Sequence, residues 1–271
     1  MLYKKIKIRK RDLNKMEKKS KLRKAIIIVS VILVLVVVQT LPVFFMKPWG
    51  SKTLSNDFIN LNYQSGDEKG ANEVFELLKE KSESIYNKME YVRKDPIKVY
   101  IYKTRLQLAI REAGFITIAI APKWHIGDSH NGNIMMLSPN TPNEVHTHDA
   151  ILTATLHELV HSITYRINSN LSYFWDNGLA TYLAEQVPNP SDYDLDRIPS
   201  IDDMHTENGL KFGEMGGYAF SYFYIRYIDE TYGWDKTVAY AKGDGDYEKI
   251  FNKSEEEIYD QWIQYLEGMN N

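Results

Sequence analysis

The sequence predicts an α+β protein whose folded domain follows a single N-terminal transmembrane helix. Two observations indicate this architecture. An apolar run near the N-terminus is long enough to cross a bilayer, and beyond it strand-like segments precede a mostly helical C-terminal half. A third observation, the motif His157-Glu158-Leu159-Val160-His161, indicates the chemistry. At 271 residues with 44% apolar content, the chain is long enough to bury a normal core.

The charge of the chain is divided between a basic N-terminal tail and an acidic remainder. Residues 1–24 hold twelve Lys or Arg against two acidic residues, a net charge of +10, and the rest holds 21 against 34, a net of −13. An acidic body argues against nucleic acid as a partner. The chain has no cysteine, which excludes disulfides and thiolate metal sites.

Residues 25–46 form the predicted transmembrane anchor. Most of them are Ile, Val, Leu or Phe, and about 20 apolar residues span a bilayer core of roughly 30 Å as a helix. The basic tail over 1–24 then lies in the cytoplasm, and the domain lies outside the cell membrane. A cleaved signal peptide is the competing prediction, disfavoured because the run is long and no A-x-A-like site follows. Residues 47–55 are predicted to be a linker and 56–271 the exported domain.

The first half of this domain is predicted to alternate helices with strands. A helical period covers 70–91, and alternation from Ile97 to Tyr102 indicates a half-buried strand. Thr104 is expected to cap a helix that ends at Gly114. The remaining predictions are a strand over 115–121, a loop over 123–132, a strand over 133–137 and a loop over 140–148.

The second half is predicted to be helical. Apolar residues on both sides of the motif predict a buried helix over about 149–167, with Asp149 as its cap. The polar stretch 192–213 is expected to be a surface loop over the cleft. The other predicted helices cover 174–187, 218–232, 235–241 and 255–267. A mixed sheet followed by helices is the α+β pattern.

The motif itself predicts a metal site. His157 and His161 are four residues apart, so on a helix they share one face and can reach one zinc ion. Glu158 then lies beside the open coordination position, where a general base takes a proton from metal-bound water. The alternative is a chance match, in which both histidines are core residues satisfied by hydrogen bonds. The clean helical context favours zinc.

The order of elements, together with H-E-x-x-H, resembles the gluzincin or peptidase MA-like zinc metallopeptidases over most of residues 55–267. The resemblance implies a thermolysin-like zincin domain, a Zn²⁺ cofactor and hydrolysis of a peptide or protein substrate by Glu-assisted attack of zinc-bound water. In that family a glutamate at the start of the next helix, in a W-x-x-E-G-x-A-x-Y context, is the third ligand. Gly178, Ala180 and Tyr182 match this pattern, but Asn177 stands at the glutamate position.

Three interpretations of the third ligand therefore stay open. Asp176 turns its carboxylate into the site, which we favour, or Asn177 ligates through its amide oxygen, a weaker donor to zinc. In the third interpretation neither binds metal, and Asp176 caps the helix. Glu185 lies eight residues further on, roughly 12 Å along a helix, which is too distant.

The resemblance also implies residues that contact the substrate. Tyr218, near the start of a later helix, matches the tyrosine that donates a hydrogen bond to the oxyanion in the aminopeptidase branch. The strand at 133–137 corresponds to the edge strand along which an extended peptide pairs. Its substrate-binding residues would be Asn133, Ile134, Met135 and Met136. The G-x-M-E-N pattern of aminopeptidases is missing, which favours an endopeptidase. The alternative function is a non-catalytic exported binding domain on a degenerate zincin fold.

Overall fold

The structure is a computed structural model that describes residues 2–141 and 145–269. Met1, residues 142–144 of the predicted loop over 140–148, and the last two residues lie outside the described part. The chain begins with helix α1, Leu2–Thr40, which continues into a 3-10 turn at Leu41–Phe44. The stretch Met16–Phe44 covers the later part of α1 and this turn; its most apolar part has a mean hydropathy of 2.9, and none of that part is buried. This helix is long and apolar enough to cross a membrane, although a signal sequence has the same properties.

Five strands form one mixed sheet. They are β1 Lys52–Ser55, β2 Ile59–Tyr63, β3 Ile97–Tyr102, β4 Gly127–His130 and β5 Asn133–Leu137. Their order is β1-β2-β3-β5-β4, with the three central strands parallel and the two edge strands antiparallel to their neighbours. In β3, successive residues from Val99 to Tyr102 are all buried. Because successive side chains point to opposite faces, both faces of the sheet are covered there.

Eleven helices follow α1 in the described part of the chain. They are α2 Glu68–Lys88, α3 Arg105–Ala113, α4 Thr117–Ile120, α5 His148–Ile167, α6 Tyr173–Leu183, α7 Ile201–Met204, α8 Gly209–Glu214, α9 Gly217–Tyr232, α10 Trp234–Lys242, α11 Tyr247–Phe251 and α12 Glu255–Met269. A small sheet with a helical majority confirms the predicted α+β class. The strand over 97–102, the helix capped by Thr104 and the long motif helix are also confirmed.

Several local predictions are wrong. The segment 115–121 contains the short helix α4 rather than a strand. Phe115 and Ile118 are exposed to solvent and do not pack on the sheet. The predicted loop over 123–132 contains β4. The motif helix is capped by Thr147, whose hydroxyl accepts from the Ala150 N–H, and not by Asp149. The predicted surface loop over 192–213 contains α7 and α8.

The first two strands were not predicted. They are only four and five residues long, and polar residues such as Asn60 and Asn62 interrupt their apolar pattern. Strand β1 lies inside the range assigned to the linker, and it pairs with β2 from Lys52 to Ser55. The sheet therefore begins about eight residues after the 3-10 turn that ends α1.

The helical half is held together by aromatic packing around α6. Trp175 stacks on Tyr240 with ring centroids 4.0 Å apart, and its indole N–H donates to the Tyr247 hydroxyl at 2.9 Å. On the other side of α6, a Cβ added to Gly178 would lie 2.7 Å from the Ser221 carbonyl oxygen, so α6 and α9 are in close contact. These contacts set where the first turn of α6 meets the motif helix α5.

Candidate active site

The two histidines of the motif converge on one point. On α5, their Nε2 atoms are 2.9 Å apart, and the ring centroids of His157 and His161 are 4.6 Å apart. Both residues line a cleft of about 1120 Å³. The predicted placement of the two imidazoles on one helical face is therefore present in the structure.

The outer ring nitrogens are held by acceptors on the next helix and just beyond it. His157 Nδ1 lies 2.8 Å from Gln186 Oε1, and His161 Nδ1 lies 2.7 Å from Asp176 Oδ2. Gln186 Oε1 and Asp176 Oδ2 are acceptors, so the Nδ1 atom of each histidine carries the proton and donates it. The Nε2 atom of each histidine then carries the lone pair. Two lone pairs that face each other at this distance are satisfied by a shared cation, either a proton or a metal ion.

The charges around the pair reflect this arrangement. Burial alone lowers the pKa of His161, but the Asp176 carboxylate outweighs it and raises that pKa to about 9. Burial and the neighbouring His161 lower the pKa of His157 to about 3. Burial opposes ionisation of Asp176, yet His161 and the Thr164 hydroxyl bring its pKa below the usual value. Without a metal, a proton on His161 Nε2 would satisfy both ring nitrogens, because Asp176 favours the charged imidazolium of His161.

Asp176 lies on the outer side of His161, and this differs from its favoured role as a zinc ligand. Its second carboxylate oxygen accepts from the Thr164 hydroxyl, so both oxygens are engaged with α5. Carboxylates in this position orient metal-binding histidines and fix their tautomer. Among the described residues, no three His, Cys, Asp or Glu side chains are grouped as metal ligands would be.

Asn177 lines the same cleft, and it is 2% exposed. Its amide nitrogen donates to the Tyr173 carbonyl oxygen, four residues back along α6, at 2.8 Å. That bond fixes the side chain against its own helix. The structure therefore brings Asn177 to the cleft, while its ligation of a metal remains a prediction.

Glu158 is buried between the motif helix and strand β4. A Cβ added to Gly127 would lie 3.2 Å from Glu158 Cγ, so the strand passes directly beside this carboxylate. Burial raises the pKa of Glu158 to about 8, with the nearby His161 opposing the shift. A carboxylate whose pKa lies near neutrality is suited to exchange a proton during catalysis.

The edge of the sheet beside the cleft is β4, not β5. Strand β5 pairs with β3 on one side and with β4 on the other, and Ile134, Met135 and Met136 are fully buried. The prediction that Asn133–Met136 is the substrate-pairing edge strand is therefore wrong, because both sides of that strand are already hydrogen-bonded. Residues Gly127–Ser129 of β4 line the cleft instead.

Tyr218 is brought into the site at the start of α9. Its ring centroid is 6.2 Å from that of His157, and the side chain keeps 40% exposure where it opens on the cleft. Partial burial, with Tyr173 and Glu158 nearby, raises the pKa of Tyr218 above its ordinary value. The phenol therefore keeps its proton and remains a donor at neutral pH.

Sequence reasoning missed three features of the site. Gln186 reaches His157 because the chain turns back after α6 through Glu185, which has a φ of +58°. His125 lines the cleft and contacts the Glu112 carboxylate at 2.7 Å, and no pattern in the sequence indicated that this histidine reaches the site. The third is β4 itself, whose Gly-Asp-Ser-His sequence carries no strand pattern. The hydrophobic pattern contained no signal for any of them.

No protein-family model and no curated protein sequence matches this chain. The gluzincin resemblance accordingly rests on the motif and on the order of elements. The function proposed below is therefore argued from the side chains of the cleft.

Proposed function

We propose that this protein is a zinc-dependent peptidase of the outer side of the cell membrane, acting as an endopeptidase. The observation that carries the proposal is the pair of Nε2 lone pairs from His157 and His161, 2.9 Å apart, with both Nδ1 atoms already bonded. Such a pair is preorganised for one divalent ion. A peptidase of this kind also needs a general base, and the buried Glu158 beside the edge strand β4 would supply it.

The residues of the cleft fit a zinc ion in part. His157 and His161 would hold it, with Gln186 and Asp176 orienting their rings. Because Asp176 is engaged with His161 and Thr164, Asn177 is the candidate for a third protein ligand. When bound, zinc would polarise the scissile carbonyl and lower the pKa of water to about 7.

The chain's own residues supply the remaining steps. An extended peptide would add to the free edge of β4, where backbone groups of Gly127–Ser129 give the hydrogen bonds of a further strand. Glu158 would take the proton from the attacking water and deliver it to the leaving amine. Tyr218 would donate a hydrogen bond to the developing oxyanion.

The membrane location is part of the same proposal. Helix α1 would cross the bilayer once, with the basic tail over 1–24 in the cytoplasm and the cleft outside. The anchor would stay attached, because no small-residue cleavage pattern follows the apolar run. Peptide or protein substrates would thus be met outside the cytoplasm.

The test combines metal content with hydrolysis of an unstructured protein by the purified full-length chain. We expect one zinc per chain and cleavage that stops with a chelator and returns with zinc. Glu158→Gln should keep the zinc and lose hydrolysis, because the imidazoles remain while the base is removed. His157→Ala and His161→Ala should lose the metal. Retained hydrolysis in Glu158→Gln would refute the assigned base.

A second candidate is a non-catalytic binding domain on the same fold. It is favoured by the engagement of Asp176, which leaves two imidazoles and no carboxylate ligand for a metal among the described residues. Under this alternative, zinc is absent or the peptide is bound and released intact. Titration of the chain with the same unstructured protein, followed by mass analysis of that protein, separates the two functions.

A further inference from the structure

An uncharged apolar segment projects from the domain just after α3. Residues 113–122 contain no charged residue. Phe115, Ile116 and Ile118 of this segment are between 46% and 58% exposed, and we call these three side chains the juxtamembrane patch. Contiguous apolar side chains on a surface mark a contact with protein or lipid.

The backbone of this patch is bonded to the end of α1. The Phe115 N–H donates to the Gln39 carbonyl oxygen at 3.2 Å, and the Ile116 N–H donates to Gln39 Oε1 at 3.2 Å. The Gln39 amide donates in turn to the Ala113 carbonyl oxygen at 3.2 Å. Gly114 permits this approach, since a Cβ there would collide with Gln39.

These bonds set the height of the patch along the anchor. Gln39 lies fourteen residues after Ala25, or about 21 Å along the helix, within a hydrocarbon core of about 30 Å. A polar side chain at that depth needs partners within the protein, and here the backbone of the patch provides them. The patch is therefore level with the last turns of the apolar helix rather than above them.

The side chains around the patch have the composition of a membrane interface. Phe44, Phe45 and Trp49 follow the helix and are more than half exposed. The Arg111 guanidinium donates to the Phe45 carbonyl oxygen, which places a cation beside these aromatic rings. Aromatic and basic residues are enriched where a protein meets the headgroups of a bilayer.

We propose that the juxtamembrane patch is a second membrane-contacting surface, inserted into the lipid of the outer leaflet beside α1. The domain then does not hang freely from a linker, because the anchor and the patch together hold it at one tilt. Amphipathic segments of this kind bury their apolar face about 5–10 Å into the headgroup boundary, which matches the height of Gln39. The inference rests on α1 spanning the membrane, which is part of the proposed function, and it does not depend on hydrolysis.

The opposite end of the sheet provides a control position. Strand β3 ends beside the anchor, where the Tyr102 hydroxyl donates to the Met46 carbonyl oxygen. The six-residue strand carries the chain about 17 Å from there to Ile97. Val92 lies beyond that far end and is 82% exposed, so it is an exposed apolar residue remote from the anchor.

The absence of cysteine allows one fluorescent label per chain. Ile116→Cys, Ile118→Cys, Val92→Cys and Val34→Cys would each carry a polarity-sensitive fluorophore in the full-length protein. The proteins are reconstituted into phosphatidylcholine–phosphatidylglycerol vesicles that contain lipids with a spin-label quencher, either near the headgroup or deep in the acyl chain. Val34, in the middle of the apolar part of α1, reports whether the helix spans the bilayer.

We expect labels at 116 and 118 to lose most of their fluorescence to the shallow quencher. The label at 34 should respond to the deep quencher, and the label at 92 to neither. The proposal would be overturned if neither quencher reduced the fluorescence of labels at 116 and 118 while the deep quencher still reduced that of the label at 34. A label at 34 that escapes quenching would instead remove the membrane span itself, and the two failures are thereby distinguished.

The bond to Gln39 is tested with a matched pair of variants in the 118-labelled chain. Gln39→Ala removes the side-chain bonds to the patch and should reduce quenching at 118. Thr40→Ala is the control, because the Thr40 hydroxyl bonds to carbonyl oxygens of its own helix. It should leave quenching unchanged. Equal quenching in both variants would refute the role given to Gln39.

Discussion

His161 donates its Nδ1–H to Asp176 Oδ2 at 2.7 Å, across the contact between the motif helix and the helix that follows it. This bond turns the imidazole so that Nε2 faces the cleft and His157. It also engages the carboxylate that the sequence offered as a third ligand. Asp176 thus orients the His161 ring, and under the proposed function this role makes a different prediction from ligation of zinc.

Asp176→Asn should weaken zinc binding about 10- to 100-fold while a full equivalent still binds at saturating zinc. The reason is that the amide of the variant can still contact His161, but it lacks the negative charge with which Asp176 raises the basicity of the His161 imidazole. Competition with a chromogenic chelator measures the affinity, and Asp229→Asn, whose partner is Tyr182, is the control. A loss of stoichiometric zinc at saturation would show that Asp176 is a ligand after all.

Tyr218→Phe should lower kcat by about 100-fold and leave the zinc content unchanged, because a hydrogen bond to a developing oxyanion acts mainly in the transition state. Steady-state kinetics on a fluorogenic peptide provides the measurement. Tyr259→Phe removes a hydroxyl that donates to the Pro199 carbonyl oxygen and should retain full activity. Equal rates in the two variants would contradict the role of Tyr218.

Gly178→Ala should destabilise the domain by about 1–3 kcal/mol through overpacking between α6 and α9. The added methyl would lie 2.7 Å from both the Ser221 carbonyl oxygen and Ile225 Cγ1. Gly213→Ala on α8 is the matched control, since a Cβ there meets nothing within 4 Å, and it should be neutral or slightly stabilising. Urea unfolding followed by tryptophan fluorescence reports both. An unchanged midpoint for Gly178→Ala would show that the helices separate at little cost.

Glu112→Gln should lower the pKa of His125. Burial by itself lowers that pKa, and the Glu112 carboxylate outweighs burial, so the native value lies above 6.5. Protonated His125 therefore adds stability that is fully present below pH 6.5 and is lost as the pH rises through the raised pKa. Burial raises the pKa of Glu112, so this carboxylate is neutral at strongly acidic pH and the ion pair is lost there as well. The variant should therefore lose stability mainly between the raised pKa of Glu112 and the raised pKa of His125. NMR titration of the imidazole checks the pKa, and an unchanged value in Glu112→Gln would exclude the pair as its cause.

Local pattern was sufficient for much of the fold. Strand β3, helix α3 with its Thr104 cap and Gly114 end, and the motif helix follow from alternation, capping and helical period. Short polar elements were missed because their structure comes from neighbours. Strand β4 has no apolar alternation, and it exists because β5 offers it a ladder of hydrogen bonds. The segment 115–121 has the composition of a strand, yet its bonds to Gln39 hold it as a turn and the short helix α4.

The sequence by itself determined the two arrangements that depend on spacing alone. Histidines four residues apart face one side of a helix whatever surrounds them, and an apolar run of this length is able to span a bilayer wherever the rest of the chain goes. Only the tertiary structure decided that Asp176 orients His161, that Gln186 holds His157 and that β4 flanks Glu158. Those relationships depend on how separate elements cross and pair, and contacts between residues far apart in the chain leave no periodic signal in the sequence.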